Sequence, residues 1–190
     1  MLILKTARLL LREAVDDDAP FVLALLNSAG FIANIGDRGV RTEAEARIYI
    51  AERIHGSYRE HGFGMWVVEP VEDGATIGLA GLVKRDGLGA PDVGYAFLPH
   101  AWGQGFAQEA AAGVLGLART TLGIPTLAAI TTPENEASMA VLRKVGFVYQ
   151  GMIQLPGHVG ESTHFIHHNE EREPDANHDH RNQRLPLCGR

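Results

Sequence analysis

Between Leu98 and Ala110 the chain reads LPHAWGQGFAQEA, with Gly103 and Gly105 placed just before an apolar-periodic run. Glycine lets a ligand approach the backbone, and the first N–H groups of a helix have no intrahelical partner and lie at the positive end of its dipole. Such a junction suits an anion, a pyrophosphate above all. Taken alone, Gly-x-Gly reads equally well as a turning loop. Two familiar nucleotide signatures do not fit. A dinucleotide-binding turn needs glycine or alanine where Gln108 stands, and an acidic residue about 20 positions further on at a second strand end. A P-loop needs Gly-Lys, a pair absent from the chain.

The elements that must hold this junction can be read from periodicity and turn residues. Residues 8–13 predict a strand. Asp16, Asp17 and Asp18 before Pro20 predict a helix start, carrying Phe21, Val22, Leu25 and Leu26 inward. Gly30, Gly36 and Gly39 mark a loop, and Thr42 with Glu45 forms a capping box for a helix running through Ala44, Ile48, Ala51, Ile54 and Tyr58. Strands are expected at 63–70, 75–84 and 92–98, then a long helix at about 104–121 and a strand up to Thr131. A helix from Asn135 to Val145 stops at Gly146-Phe147, a left-handed glycine followed by a returning apolar residue. Strands at 148–155 and 162–168 close the domain. This order predicts an α+β fold: a mixed, mostly antiparallel sheet of six to seven strands flanked by about four helices. Residues 1–168 form the expected domain. The polar stretch 169–190 lacks the apolar content to pack and is expected to be a flexible tail.

Composition narrows the classes. The 190 residues are 45% hydrophobic and 21% charged, ordinary for a globular protein. With 17 Lys and Arg against 23 Asp and Glu, the net charge of −6 argues against a nucleic-acid partner, which normally needs a basic face. Cys188 is the single cysteine, so no internal disulfide or cysteine-based zinc site can form. Lys5, Arg8 and Arg12 interrupt the apolar start before a signal-peptide core develops, and no stretch approaches the ~20 apolar residues of a membrane span. The expectation is a cytoplasmic protein with no membrane partner. His158, His164, His167, His168, His178 and His180 match no metal-ligand spacing, and no metal is expected. His55 falls on the apolar side of its helix and reads as a packing histidine.

Four segments together resemble the GNAT acetyltransferases. The family's phosphate-loop pattern Q/R-x-x-G-x-G/A matches Trp102 to Ala107 at its last two fixed positions. Trp102 departs from the first, and W-G-x-G-Y/F-A-x-E-A is the form of the RimJ/RimL-like branch. Leu4 to Arg12 resembles that branch's T-x-R-L-x-L-R opening. Asp92-Val93-Gly94-Tyr95 resembles its E-I-G-Y strand, and Asn135 to Ser138 with Gly146-Phe147 its N-x-x-S…G-F helix. The resemblance implies an acetyl-CoA cosubstrate whose pyrophosphate is held by Trp102, Gly103, Gln104, Gly105, Phe106 and Ala107. It further implies a pantetheine arm paired with the backbone at Phe97 and Leu98 and bonded to Asn135. Ser138 is then the candidate donor to the departing thiolate, with helix capping or lining as the alternative. Asp92, shorter by one methylene than the family's glutamate, is a candidate general base, with a structural polar contact as the alternative. Tyr95 points to the other face of its strand and reads as core. The implied reaction is direct acetyl transfer to a primary amine, a protein N-terminus or a small molecule, with no acyl-cysteine step. The rival reading is a non-catalytic acyl-CoA-binding module. A homodimer is compatible with the resemblance, but no residue defines its interface.

Overall fold

A computed structural model describes residues 1–157 and 160–169. The segment 170–190, most of the expected tail, and His158 lie outside the described residues. One sheet of eight strands runs in the order β1 (Leu2–Lys5), β2 (Leu9–Arg12), β3 (Met65–Pro70), β4 (Gly78–Val83), β5 (Asp92–Phe97), β6 (Thr126–Thr131), β8 (Ser162–His168), β7 (Val148–Ile153). Every neighbouring pair is antiparallel except β5 and β6. The sheet therefore has one strand more than the six to seven expected. The extra strand is β1, joined to β2 by a turn without glycine or asparagine: Thr6 N–H donates to the Leu9 carbonyl, and Leu9 N–H to Thr6 Oγ1. Its cationic ends and missing turn signature hid it from a reading based on periodicity.

Strand alternation sends side chains to two helical layers. Leu9, Leu11, Val68, Leu82 and Val93 pack with Ala110, Val114 and Ala118 of α5 (Phe106–Thr120) and Leu142 of α6 (Glu136–Lys144). On the opposite face Val67 and Leu79 meet Val22, Leu25 and Leu26 of α1 (Ala19–Leu26), and Ile50 and Ile54. These last two lie in a π-helical turn, Ile50–Ile54, between α3 (Glu43–Tyr49) and α4 (His55–His61). The Thr42–Glu45 capping box opens α3 as expected. The glycine-marked loop contains a short helix, α2 (Ala29–Asn34), capped by Ser28 accepting from Phe31 N–H. The helix count thus exceeds the expected four. The helix start expected at Asp16–Asp18 is present: these residues form a 3-10 turn that runs directly into α1 at Ala19. There Asp18 is buried and gripped by both terminal nitrogens of Arg12 at 2.7 Å, a charge-assisted pair at the entry to α1. At the end of α6, Gly146 (φ 94°) takes the left-handed conformation, while Phe147 N–H returns to the Leu142 carbonyl and Gly146 N–H to that of Arg143. None of the described helices is long and apolar enough to cross a membrane.

Candidate active site

The site begins where the sheet comes apart. β5 and β6 pair at one position, Asp92 opposite Ala128, where Ala128 N–H donates to the Pro91 carbonyl. In a continuing parallel ladder the next donor, Ile130 N–H, would reach the Val93 carbonyl. It donates instead to Asp92 Oδ1 at 3.2 Å, so a side-chain carboxylate stands in for the strand carbonyl and the two strands diverge beyond it. The other carboxylate oxygen accepts from Arg85 Nε. Asp92 is 1% exposed, and burial raises its pKa against the opposing pull of Arg85. With both oxygens occupied inside the protein, Asp92 does not fit the candidate general-base role. It occupies the place of the structural contact.

Beyond this point one edge of β5 is open. Leu98 N–H donates to the Ile77 carbonyl on the β4 side, so strand alternation turns the backbone groups of Tyr95 and Phe97 toward β6. This divides the two residues expected to pair with a pantetheine arm. Phe97 presents its N–H to the gap. Leu98 does not: its N–H goes to Ile77, and its carbonyl accepts from Ala101 N–H. The Phe97 carbonyl accepts from Trp102 Nε1 at 2.7 Å. The Trp102 ring lies so close over α2 that a Cβ on Gly30 would fall 2.6 Å from it. The loop tryptophan thus ties the end of β5 to a helix on the opposite layer.

The loop itself is glycine-dependent at two positions, Gly103 (φ 74°) and Gly105 (φ 79°), both in the left-handed region. A Cβ on Gly103 would meet nothing within 4 Å, which leaves the loop face open to a ligand. Gly105 is the N-cap of α5 and brings no side-chain cap to the helix start. Among the described residues, no hydrogen bond is donated by the N–H groups of Gly103 to Ala107. A 15-residue helix therefore presents free donors and its positive end at the mouth of the gap. These features fit a pyrophosphate.

What holds the loop in place was missed in the sequence. Glu109, on the first turn of α5, accepts from Thr6 Oγ1 at 2.6 Å, from Arg8 N–H at 2.8 Å and from Arg8 Nε at 2.6 Å. Burial raises the Glu109 pKa, but these hydrogen bonds together outweigh it and the net shift is downward. The Arg8 guanidinium also donates to the Gln104 carbonyl at 3.0 Å and lies 4.8 Å from the centre of the Phe106 ring. The Gln104 side chain donates to the His100 carbonyl. The signal was present: Thr6-x-Arg8 and Gln108-Glu109-Ala110 both belong to the matching motifs, although 101 residues separate Arg8 from Glu109.

Across the gap, Asn135 caps α6, its Oδ1 accepting from Ser138 N–H at 3.0 Å. Ser138 is also reached from β5: Tyr95 Oη lies 3.0 Å from Ser138 Oγ and 3.2 Å from the Ser138 carbonyl. Burial pushes the Tyr95 phenol up to about 12. Tyr95 is on the face opposite Asp92, as expected, but its hydroxyl belongs to the site rather than to the core. A groove of about 440 Å³ lies between α5 and the end of α6, with Gln108, Arg119, Lys144 and His167 on its walls. His55 Nε2–H donates to the Ala14 carbonyl, 2.7 Å away, a packing contact.

The acetyltransferase (GNAT) domain matches residues 8–148, which spans β2, the whole loop and α6. The chain belongs to the GNAT acetyltransferase family. As a GNAT protein it is an acyltransferase. An uncharacterised N-acetyltransferase of Bacillus subtilis, YoaA, is 28% identical over 155 residues, 80% of this chain and 86% of that protein. An acetyltransferase structure from Agrobacterium tumefaciens superposes with a TM-score of 0.74 at 23% identity, covering 87% of this chain and 94% of the other. A RimL ribosomal-protein alpha-N-acetyltransferase solved with coenzyme A superposes with a TM-score of 0.75 at 19% identity, covering 88% and 98%. These superpositions show a shared fold.

Proposed function

We propose that this chain moves an acetyl group from acetyl-CoA to a primary amine by direct transfer, as a RimJ/RimL-like enzyme acting in the cytoplasm. The observation that carries this reading is the run of free N–H donors from Gly103 to Ala107 opening onto the gap between β5 and β6. The diphosphate would sit on those donors, with Trp102, Gln104 and Phe106 supporting the loop. The arm would enter along the Phe97 edge, with Asn135 at the gap's far side, and the groove walled by Arg119 and Lys144 would take the nucleoside end. The Phe97 N–H is the donor available to a carbonyl lying in the gap, an oxyanion-type contribution. Most of the rate would come from holding a neutral amine against an activated carbonyl. Ser138 Oγ–H would serve the departing thiolate, and Asp92 would act as the strand-parting contact described above. Residues 1–168 would be the catalytic domain.

The RimL neighbour modifies a ribosomal-protein N-terminus, which makes a peptide amine the first acceptor to test. A second reading, an acyl-CoA-binding module without turnover, is favoured by one observation: Asp92 has no free carboxylate oxygen for an acceptor. Titration calorimetry with acetyl-CoA, together with thiol release over a panel of peptides and small amines, separates the readings. Binding plus amine-dependent thiol release is expected. Binding without release for any amine would favour the module, and absence of acetyl-CoA binding would overturn both.

A further inference from the structure

The hydroxyl of Tyr95 joins the two sides of the gap. β5 and β6 share one paired position, yet the Tyr95 side chain leaves β5 on the α5/α6 face and reaches the first turn of α6, where it meets both Ser138 Oγ and the Ser138 carbonyl. We propose that Tyr95 is a positioning residue for acetyl transfer: its phenol donates to Ser138 Oγ and thereby turns the serine's own proton toward the departing sulfur. This rests on the role proposed above for Ser138.

The donor inventory explains why the tyrosine matters. Serine has one proton and two lone pairs on Oγ, and the phenol has one proton. In one arrangement Tyr95 donates to the Ser138 carbonyl and Ser138 donates to Tyr95 Oη, so the serine proton faces away from the gap. In the other, Tyr95 donates to Oγ, and the serine proton is free for an acceptor in the gap. Of these two, a developing thiolate selects the second, because the first gives it no hydrogen bond. No proton need be lost from either hydroxyl; the rearrangement is two rotations. Burial raises the pKa of the phenol, so it keeps its proton at neutral pH and remains a donor. Asn135 completes the setting by accepting from Ser138 N–H and fixing the backbone that carries Oγ.

Tyr95→Phe keeps the ring and removes only Oη. At saturating acetyl-CoA and amine, kcat should fall about tenfold, with acetyl-CoA affinity by calorimetry unchanged, while Ser138→Ala should lower kcat about a hundredfold. In the Ser138→Ala background, Tyr95→Phe should cost nothing further, because the group it positions is gone. The same tenfold loss in both backgrounds, or no loss in either, would overturn the proposal while leaving Ser138 its role. A wild-type kcat in Ser138→Ala would instead remove the role of Ser138, and the proposal with it. If Tyr95→Phe fails to fold, a polyfluorinated tyrosine at position 95 preserves packing and lowers the phenol pKa. A descending alkaline limb should then enter the accessible pH range of kcat, absent when Ser138 is alanine. An unchanged profile would count against the assignment.

Discussion

The two ends of the β5–β6 seam are built on opposite rules. At the closed end, Asp92 is buried and every oxygen is used, by Arg85 on one side and Ile130 N–H on the other. At the open end, the N–H groups that start α5 are left free, the helix has no side-chain cap, and two glycines sit in left-handed conformations. A satisfied polar network rigidifies; a row of exposed donors is satisfied by water and stays available to a ligand. The closed end sets where the strands part, and the open end uses the space. Mutations should therefore separate cleanly: changes at the closed end should appear in unfolding, and changes at the open end in ligand affinity.

The largest effect is expected from Asp92→Asn. The amide can still accept from Ile130 N–H, but Arg85, mostly buried beside it, loses its counter-charge, and breaking such a pair typically costs about 3–5 kcal/mol. Denaturant unfolding should show the loss. If stability were unchanged while acetyl-CoA binding vanished, the division between the two ends would be wrong. Next in size is Gly105→Ala. Alanine resists the left-handed conformation by about 1–2 kcal/mol, so the exposed loop relaxes out of it and re-aims its N–H donors, and acetyl-CoA affinity should fall about tenfold while unfolding changes little. Gly103→Ala faces the same backbone cost, with nothing within 4 Å of its Cβ, so it should weaken binding to a similar degree.

Much of this was legible in the sequence, for reasons that are local. The capping box at Thr42 and Glu45, the glycine stop after α6 and the loop at Gly103 and Gly105 are each written within a span of six residues. What was hidden depends on contacts between distant residues. β1 could not be seen because its register comes from β2 and its turn lacks a signature. The helix read through Ala44, Ile48 and Ala51 turns another face inward: Ala46, Ile50 and Ile54 are buried, the last two in a π turn, and Ile48 is exposed. Tyr95 read as core because strand alternation gives its face, not what that face meets; Ser138 lies 43 residues away. Leu98 read as a ligand-pairing residue because a resemblance identifies a strand end but not which way each N–H points.

A smaller effect tests the bracket that connects the open end to β1 and β2. Glu109→Gln keeps the acceptor for Thr6 and Arg8 N–H but loses the ion pair with Arg8, whose side chain is half exposed, so stability should change by under about 1 kcal/mol. The pH dependence is more informative. The folded pKa of Glu109 lies below its ordinary 4.5, so its contribution is complete above that value and is lost as pH falls through the lowered one. Acetyl-CoA affinity should decline along that acid limb in the wild type and lose that component in Glu109→Gln, as read by calorimetry.

The smallest net effect, that of Gly30→Ala, concerns the link between the layers. Trp102→Phe removes one hydrogen bond, to the Phe97 carbonyl, for a net stability loss of about 1 kcal/mol. Gly30→Ala reaches the same bond from the other side. Its Cβ would overlap the indole, and because Trp102 is 55% exposed, the ring can swing outward instead of straining the core. Alanine in place of a helical glycine gains about 0.5–1 kcal/mol, so the gain and the lost bond nearly cancel. The two substitutions should not add, since each breaks the same contact. Unfolding of both single variants and the double variant measures this. Full additivity would mean that the indole does not join α2 to β5, and the open end would then stand free of the opposite layer.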